Sequence, residues 1–184
     1  STYLALLLIW NIPYYIFPII ALICNIIVVT GNSINYIRAG NHNFKLLIPF
    51  LIGSIPFAFL GGTLIVDKAV FEILLFLVLS VAGLLLLINN KSYENKEIII
   101  KKINLFVSIL IGSMLGLISG IVGIGGGIFL SPILFVLKAD KPKNIVTTAS
   151  LFILINSISG VFGQLTKETL LKEIFVYWPL LLAV

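Results

Sequence analysis

From Ile103 to Leu137 the chain carries no Asp, Glu, Lys, Arg or His. A helix needs roughly 20 residues to cross the hydrocarbon core of a bilayer, so this run is too long for one simple span. It contains GIVGIGGGIFLSPIL, residues 120–134, in which Gly120, Gly123, Gly125, Gly126 and Gly127 crowd an otherwise Ile-, Val-, Leu- and Phe-rich stretch. Each glycine weakens a helix interior by roughly 1 kcal/mol relative to alanine. The pattern predicts a helix broken inside an apolar segment, and the chain beyond the break either continues across or turns back.

Composition places that segment in a lipid bilayer. Of 184 residues, 60% are hydrophobic and only 10% are charged, with a mean hydropathy of +1.19. A soluble domain carries about 25% charged residues to wet its surface. The net charge of +5 fits the positive-inside bias and anionic head groups, so no nucleic-acid partner is expected. Cys24 is the one cysteine and His42 the one histidine, which excludes an intrachain disulfide and a structural zinc site. No cofactor is expected.

Along the chain, Leu4–Trp10 looks like part of a helix ending near Asn11 and Pro13. Full spans are expected at Phe17–Ile37, Phe44–Val66, Ala69–Ile88 and Asn144–Leu165. The polar stretch NNKSYENKEIIIKK divides a first transmembrane half, 1–88, from a second, 103–184, with 89–102 as the loop between them. Ser1 is not Met and YWPLLLAV stops within an apolar run, so both halves read as incomplete pieces of a longer protein.

Basic residues orient the halves. If every apolar run crosses once, the loops at 38–45, 89–102 and 167–173 share one side and hold most of the Lys and Arg, opposite Lys68, Lys138, Lys141 and Lys143. If the glycine segment turns back, the three lysines of KADKPK join the loop at 89–102 and the bias grows. Either path makes 89–102 cytoplasmic in a multi-pass cell-membrane protein.

The halves also echo one another. FLSPILFVLKADKPKNIVTTASL and STYLALLLIWNIPYYIFPIIALICN each read as an apolar half-helix, a short break and a new helix opening on small or polar residues. Repeated halves with broken helices are the sequence mark of secondary transporters.

A helix broken in lipid leaves backbone groups unsatisfied at several kcal/mol each, so it persists only where protein or a cavity covers it. The N-terminus of the next half-helix, from about Ile128, would present free N–H groups and a partial positive charge, which suits an anion. Ser113, Ser119, Ser131, Thr147, Thr148 and Ser150 gather around it, and Pro132 falls in the first turn, where a missing N–H does no harm. Packing through small residues is the alternative, and Gly112, Gly116 and Gly120 at GxxxG spacing fit it. Gly125, Gly126 and Gly127 fit it poorly, because three in a row leave no helical stripe. Asn25, Asn32, Asn35, Asn156, Ser157 and Ser159 either face a cavity or bond between helices.

Enzyme chemistry finds no support. The glycine spacing does not match GxGxxG, and no span contains the Ser–His or paired Asp of an intramembrane protease. Glu72 is the one ionisable residue within a span, close enough to its end to snorkel.

GLISGIVGIGGGIFLSPILFVL, followed by NIVTTASLFILINSISG, resembles the second-half signature of the sulfite exporter TauE/SafE family. ICN, NYIRAG and PFLIGSIPFAFLGG resemble its first-half motifs, with Cys24 in place of a Thr before Asn25. The resemblance covers most of the chain, although the first glycine motif is missing from it. It implies an all-α polytopic bundle of two related halves that moves small anions such as sulfite, sulfonates and related sulfur compounds. Site residues implied by position and by the broken helix are Gly123, Gly125, Gly126, Gly127, Ser131, Thr148, Ser150 and Asn25, with Gly120 and Pro132 structural. The expected function is a transporter of a small anionic substrate, and the alternative is a non-transporting membrane scaffold whose glycines only pack helices. A proton or sodium as coupling ion and a homo-oligomeric state both stay open.

Overall fold

The computed structural model describes residues 14–88 and 103–167. The expected helix at Leu4–Trp10, the loop 89–102 and the last apolar run lie outside the described residues. A short 3-10 turn at Tyr14–Ile16 leads into α1 (Phe17–Arg38), followed by α2 (Phe44–Thr63), α3 (Lys68–Ile88), α4 (Leu105–Val122), α5 (Gly127–Val136) and α6 (Pro142–Leu165). No strand occurs among the described residues, and α1, α2, α4 and α6 are each long and apolar enough to cross a membrane.

Local chemistry sets the helix ends. Asn43 caps α2 by accepting from Leu46 N at 3.2 Å, and Asn104 caps α4 by accepting from Phe106 N at 3.1 Å. Gly40, at φ +72°, turns the chain out of α1 while Asn41 N reaches back to Tyr36 O at 3.3 Å. That left-handed closure is the usual role of glycine just beyond a helix.

Glycines then let α2, α4 and α6 approach closely. A methyl group built on Gly112 would strike the Phe50 carbonyl, one on Gly116 that of Ser54, and one on Gly120 that of Ala58. The rising numbers on both sides mean that α2 and α4 run parallel. Small residues bring membrane helices together because dispersion contacts, rather than water exclusion, drive their association. Gly62 and Gly163 make the same kind of contact between α2 and α6.

The ends of the bundle can be assigned from these pairs. Asn43 Nδ2 donates to Asp140 Oδ2 at 2.6 Å, Ser159 Oγ to Ile55 O at 2.7 Å, and Lys167 Nζ to Leu64 O at 2.7 Å. So α6 also runs parallel to α2, from the Asn43 end to the Leu64 end. Helix α1 runs opposite to α6, since Ser33 meets Ser150 at 3.1 Å and Leu22 packs on Gly160. Because α4 has already climbed toward the Leu64 end, the chain from Gly123 to Asp140 must descend again. The glycine segment turns back, and Lys138, Lys141 and Lys143 lie at the same end as Arg38 and Lys45.

The outer faces are apolar. Phe76 is 74% exposed, Phe106 72% and Phe162 62%, surfaces that belong against lipid in a bundle of this composition. The aromatic rings of Phe17 and Phe71 stack at 6.4 Å and hold α3 to the start of α1.

Pro132 departs from its expected place. Helix α5 begins at Gly127 with Gly126 as its cap, so Pro132 falls inside the helix, beyond the first turn. There its ring removes one backbone bond within a short helix.

Candidate functional site

The break consists of Gly123, Ile124, Gly125 and Gly126 between α4 and α5. Gly123 has φ +83°, Gly125 +78° and Gly126 +70°, a left-handed conformation that costs other L-residues roughly 1–2 kcal/mol each. Gly123 N closes α4 on Ser119 O at 2.8 Å, and Gly126 O opens α5 by accepting from Phe129 N at 3.2 Å and Leu130 N at 3.3 Å. Among the described residues, no acceptor takes the N–H of Ile124, Gly125, Gly126 or Ile128. Those donors sit where the dipole of α5 places partial positive charge.

Depth follows from the neighbours. A methyl group on Gly127 would lie 2.7 Å from Ala149 O and would also strike Ile153, residues near the middle of α6. From there α5 has ten residues, about 15 Å at 1.5 Å per residue. That is half of a hydrocarbon core of roughly 30 Å, so α5 is a half-helix whose N-terminus points into mid-membrane.

Side chains of three helices surround this terminus. Asn25 of α1 donates through Nδ2 to Gly123 O at 3.3 Å. A methyl on Gly125 would meet Ile153 Cγ2 at 2.7 Å, Ser157 Oγ at 3.1 Å and Asn25 Nδ2 at 3.2 Å. One on Gly126 would meet Phe152 Cε1 at 3.1 Å and Ser119 Cβ at 3.5 Å. Here glycine is required by space as well as by φ.

Five buried polar atoms near the break have no hydrogen-bond partner: Ser119 Oγ, Thr148 Oγ1, Asn156 Nδ2, Asn156 Oδ1 and Ser157 Oγ. Thr148, Phe152 and Asn156 recur at helical spacing along one face of α6. That face looks onto the break, because Phe152 meets Gly126 and Gly160, a turn beyond Asn156, lies close to Gly120. An unsatisfied buried group costs roughly 1–3 kcal/mol, and native structures rarely tolerate several together. The apolar sequences of α1, α4, α5 and α6 bring no charged side chain to the break. Hydroxyl, amide and backbone N–H groups are what the site offers, a set that can bind an anion by hydrogen bonds.

The structure gathers Gly123, Gly125, Gly126, Gly127, Asn25 and Thr148, and separates two others. Ser150 shares its hydroxyl with Ser33 on α1 at 3.1 Å, and Ser131 is half-buried further along α5. Thr147 bonds back to Lys143 O at 2.9 Å and Ser113 to Ile109 O at 2.9 Å. Ser119, Asn156 and Ser157 belong with the break. The sequence already groups Ser119 with the break, whereas Asn156 and Ser157 show in it only as a polar pair in the middle of an apolar helix, which by itself fits interhelical bonding equally well. An open apolar groove of about 740 Å³, lined by Ile55, Phe59, Ile158 and Phe162 among others, lies on a different face of α6, toward lipid. No group of three or more metal-ligating side chains occurs among the described residues.

A "Probable membrane transporter protein" of Sinorhizobium fredii is 24% identical over 164 residues, covering 89% of this chain and 66% of the relative. Another of that description from Methanocaldococcus jannaschii is 31% identical over 156 residues, 79% of this chain and 55% of the relative. The chain thus spans a little over half to about two thirds of the length of these curated relatives. No solved structure matches it. The family model of the sulfite exporter TauE/SafE matches residues 2–184, and the chain is a member of that family of membrane proteins.

Proposed function

We propose that this protein transports a small anion across the cell membrane, with sulfite, a sulfonate or a related sulfur compound as substrate. The observation that carries the reading is the mid-membrane N-terminus of α5, where unbonded N–H groups lie beside Ser119 and Ser157 and opposite the face of α6 that carries Thr148 and Asn156, all four with unpartnered polar atoms. Gly123, Gly125, Gly126 and Gly127 hold the backbone open, and Asn25 steadies the Gly123 carbonyl. The opposed directions of α1 and α6 suit an inverted repeat, in which two halves rock around a fixed site. Grouping Lys138, Lys141 and Lys143 with Arg38 and Lys45 makes that end of the bundle the cytoplasmic one.

Sulfite efflux from vesicles containing the full-length protein tests the reading. Gly126→Leu fills the space beside Phe152 and Ser119 and is expected to abolish flux. Thr148→Val keeps side-chain shape, removes one unpartnered hydroxyl, and is expected to lower flux without lowering stability. Normal flux from a correctly inserted Gly126→Leu protein overturns the site, whereas no flux from the wild type favours a non-transporting scaffold whose glycines only pack helices.

A further inference from the structure

The unpartnered atoms at the break differ in kind, and the difference bears on what can bind. Ser119, Thr148 and Ser157 have hydroxyl groups, which can donate or accept by rotating about one bond. Asn156 has no such freedom. Its Nδ2 carries only donors and its Oδ1 only lone pairs, and both atoms are buried without a partner on a residue that is 0% exposed. A fully deprotonated oxyanion can satisfy the first atom but has nothing to give the second.

Charge narrows the ligand further. The cost of moving an ion out of water scales with the square of its charge, so a dianion costs roughly four times as much as a monoanion of equal size. The spans around the break bring no Lys, Arg or His to offset that cost, and one half-helix terminus supplies only about half a unit of positive charge. A single negative charge is the most such a site can hold.

We propose that the break selects a monovalent oxyanion bearing its own O–H, with Asn156 as the specificity-determining residue. Asn156 Nδ2 donates to a charged oxygen of the ligand, Asn156 Oδ1 accepts from its O–H, and the N–H groups of Gly125, Gly126 and Ile128 receive the negative charge. Hydrogen sulfite in its O–H form has this chemistry, whereas sulfite and sulfate dianions do not, and simple sulfonates lack the O–H. The proposal rests on the anion-site reading above and narrows its substrate class.

Equilibrium binding of radiolabelled sulfite to the full-length protein in nanodiscs, with sulfate and methanesulfonate as competitors, tests it. Measurements on both sides of the second ionisation of sulfurous acid separate the monoanion from the dianion. For the wild type, apparent affinity for total sulfite is expected to track the hydrogen sulfite fraction. Sulfate and methanesulfonate should compete at least about a hundredfold more weakly, as expected of a site built to bond a ligand hydroxyl. Asn156→Leu loses no bond to the protein, so the variant should fold and melt no lower than wild type. It should bind hydrogen sulfite about tenfold more weakly, and its preference over methanesulfonate should fall by about the same factor. Equal competition by methanesulfonate in the wild type overturns the role of the O–H while leaving the anion site standing. Unchanged selectivity in Asn156→Leu shows that Asn156 is satisfied by water and overturns its role. Binding of none of the three anions by the wild type removes the anion site itself, and this proposal with it.

Discussion

Asn43, in the turn before α2, donates its side-chain amide to Asp140, in the turn before α6, at 2.6 Å and across 97 residues of sequence. This bond ties the two turns to one end of the bundle. It requires the glycine segment to return to the side from which α4 set out, and so makes α5 a half-helix.

The turn-back predicts which positions share a side of the membrane. In a Cys24→Ser background, His42→Cys and Lys141→Cys should react with a membrane-impermeant maleimide from the same face, and Asp67→Cys from the opposite face. Labelling of positions 42 and 141 from opposite faces would mean that the glycine segment crosses outright.

Asp140 is 5% exposed and accepts from Asn43 Nδ2, from Lys141 N at 2.7 Å and from Asn144 Nδ2 at 3.1 Å. Asp140→Ala strands these donors at roughly 1–3 kcal/mol for each that water cannot reach. The melting temperature of the detergent-solubilised protein should fall by several degrees. A double-mutant cycle with Asn43→Ala should show a coupling of about 1 kcal/mol or more, and strict additivity would mean the contact contributes nothing.

Two helical glycines separate packing from propensity. Gly120→Ala drives a methyl into the Ala58 carbonyl and within 2.7 Å of Gly62 N, so α2 and α4 must part and stability should drop by about 1–3 kcal/mol. Gly83→Ala meets nothing within 4 Å and should stabilise α3 by up to about 1 kcal/mol. Comparative melts of the two variants provide the check, and similar behaviour would remove close packing as the reason for Gly120.

Lys167 sits half-buried at the Leu64 end, donating to Leu64 O at 2.7 Å and Gln164 Oε1 at 2.9 Å. Burial pushes its pKa below the ordinary 10.5. As pH rises through the lowered value toward 10.5, the folded protein has lost a proton that the unfolded chain still binds. Linkage then makes this residue's contribution to stability increase with pH across that window. Melts at alkaline pH should show the rise in wild type relative to Lys167→Gln, and a difference of the opposite sign would contradict the burial argument.

The apolar spans, their approximate limits and the glycine break were legible in the sequence, because each depends on local composition and on the length of a bilayer-crossing helix. Asn43 and Asn104 cap their helices within a few residues of themselves, so these ends too are written locally. The resemblance in the glycine signature pointed to the same family as the full-length family match. The start of α5 was legible to within a residue, and Pro132 lies beyond the first turn whether the helix begins at Ile128 or at Gly127, because a turn spans only about 3.6 residues.

Which polar side chains meet at the break was decided only in three dimensions. Ser150 and Asn156 both lie in α6 among apolar residues, and helical spacing alone cannot say which of them finds a partner. The crossing of α1 gives Ser150 a hydroxyl partner in Ser33, while Gly126 of the returning chain and Gly120 of α4 meet Phe152 and Gly160, one turn to either side of Asn156. The direction of the glycine segment was likewise undetermined, since both paths suit its composition, until one buried carboxylate paired with an asparagine far away in the chain. Sequence by itself determined that the helix must break and that lipid must surround it. Tertiary structure decided where the broken end points, because that depends on contacts between segments that composition and periodicity do not encode.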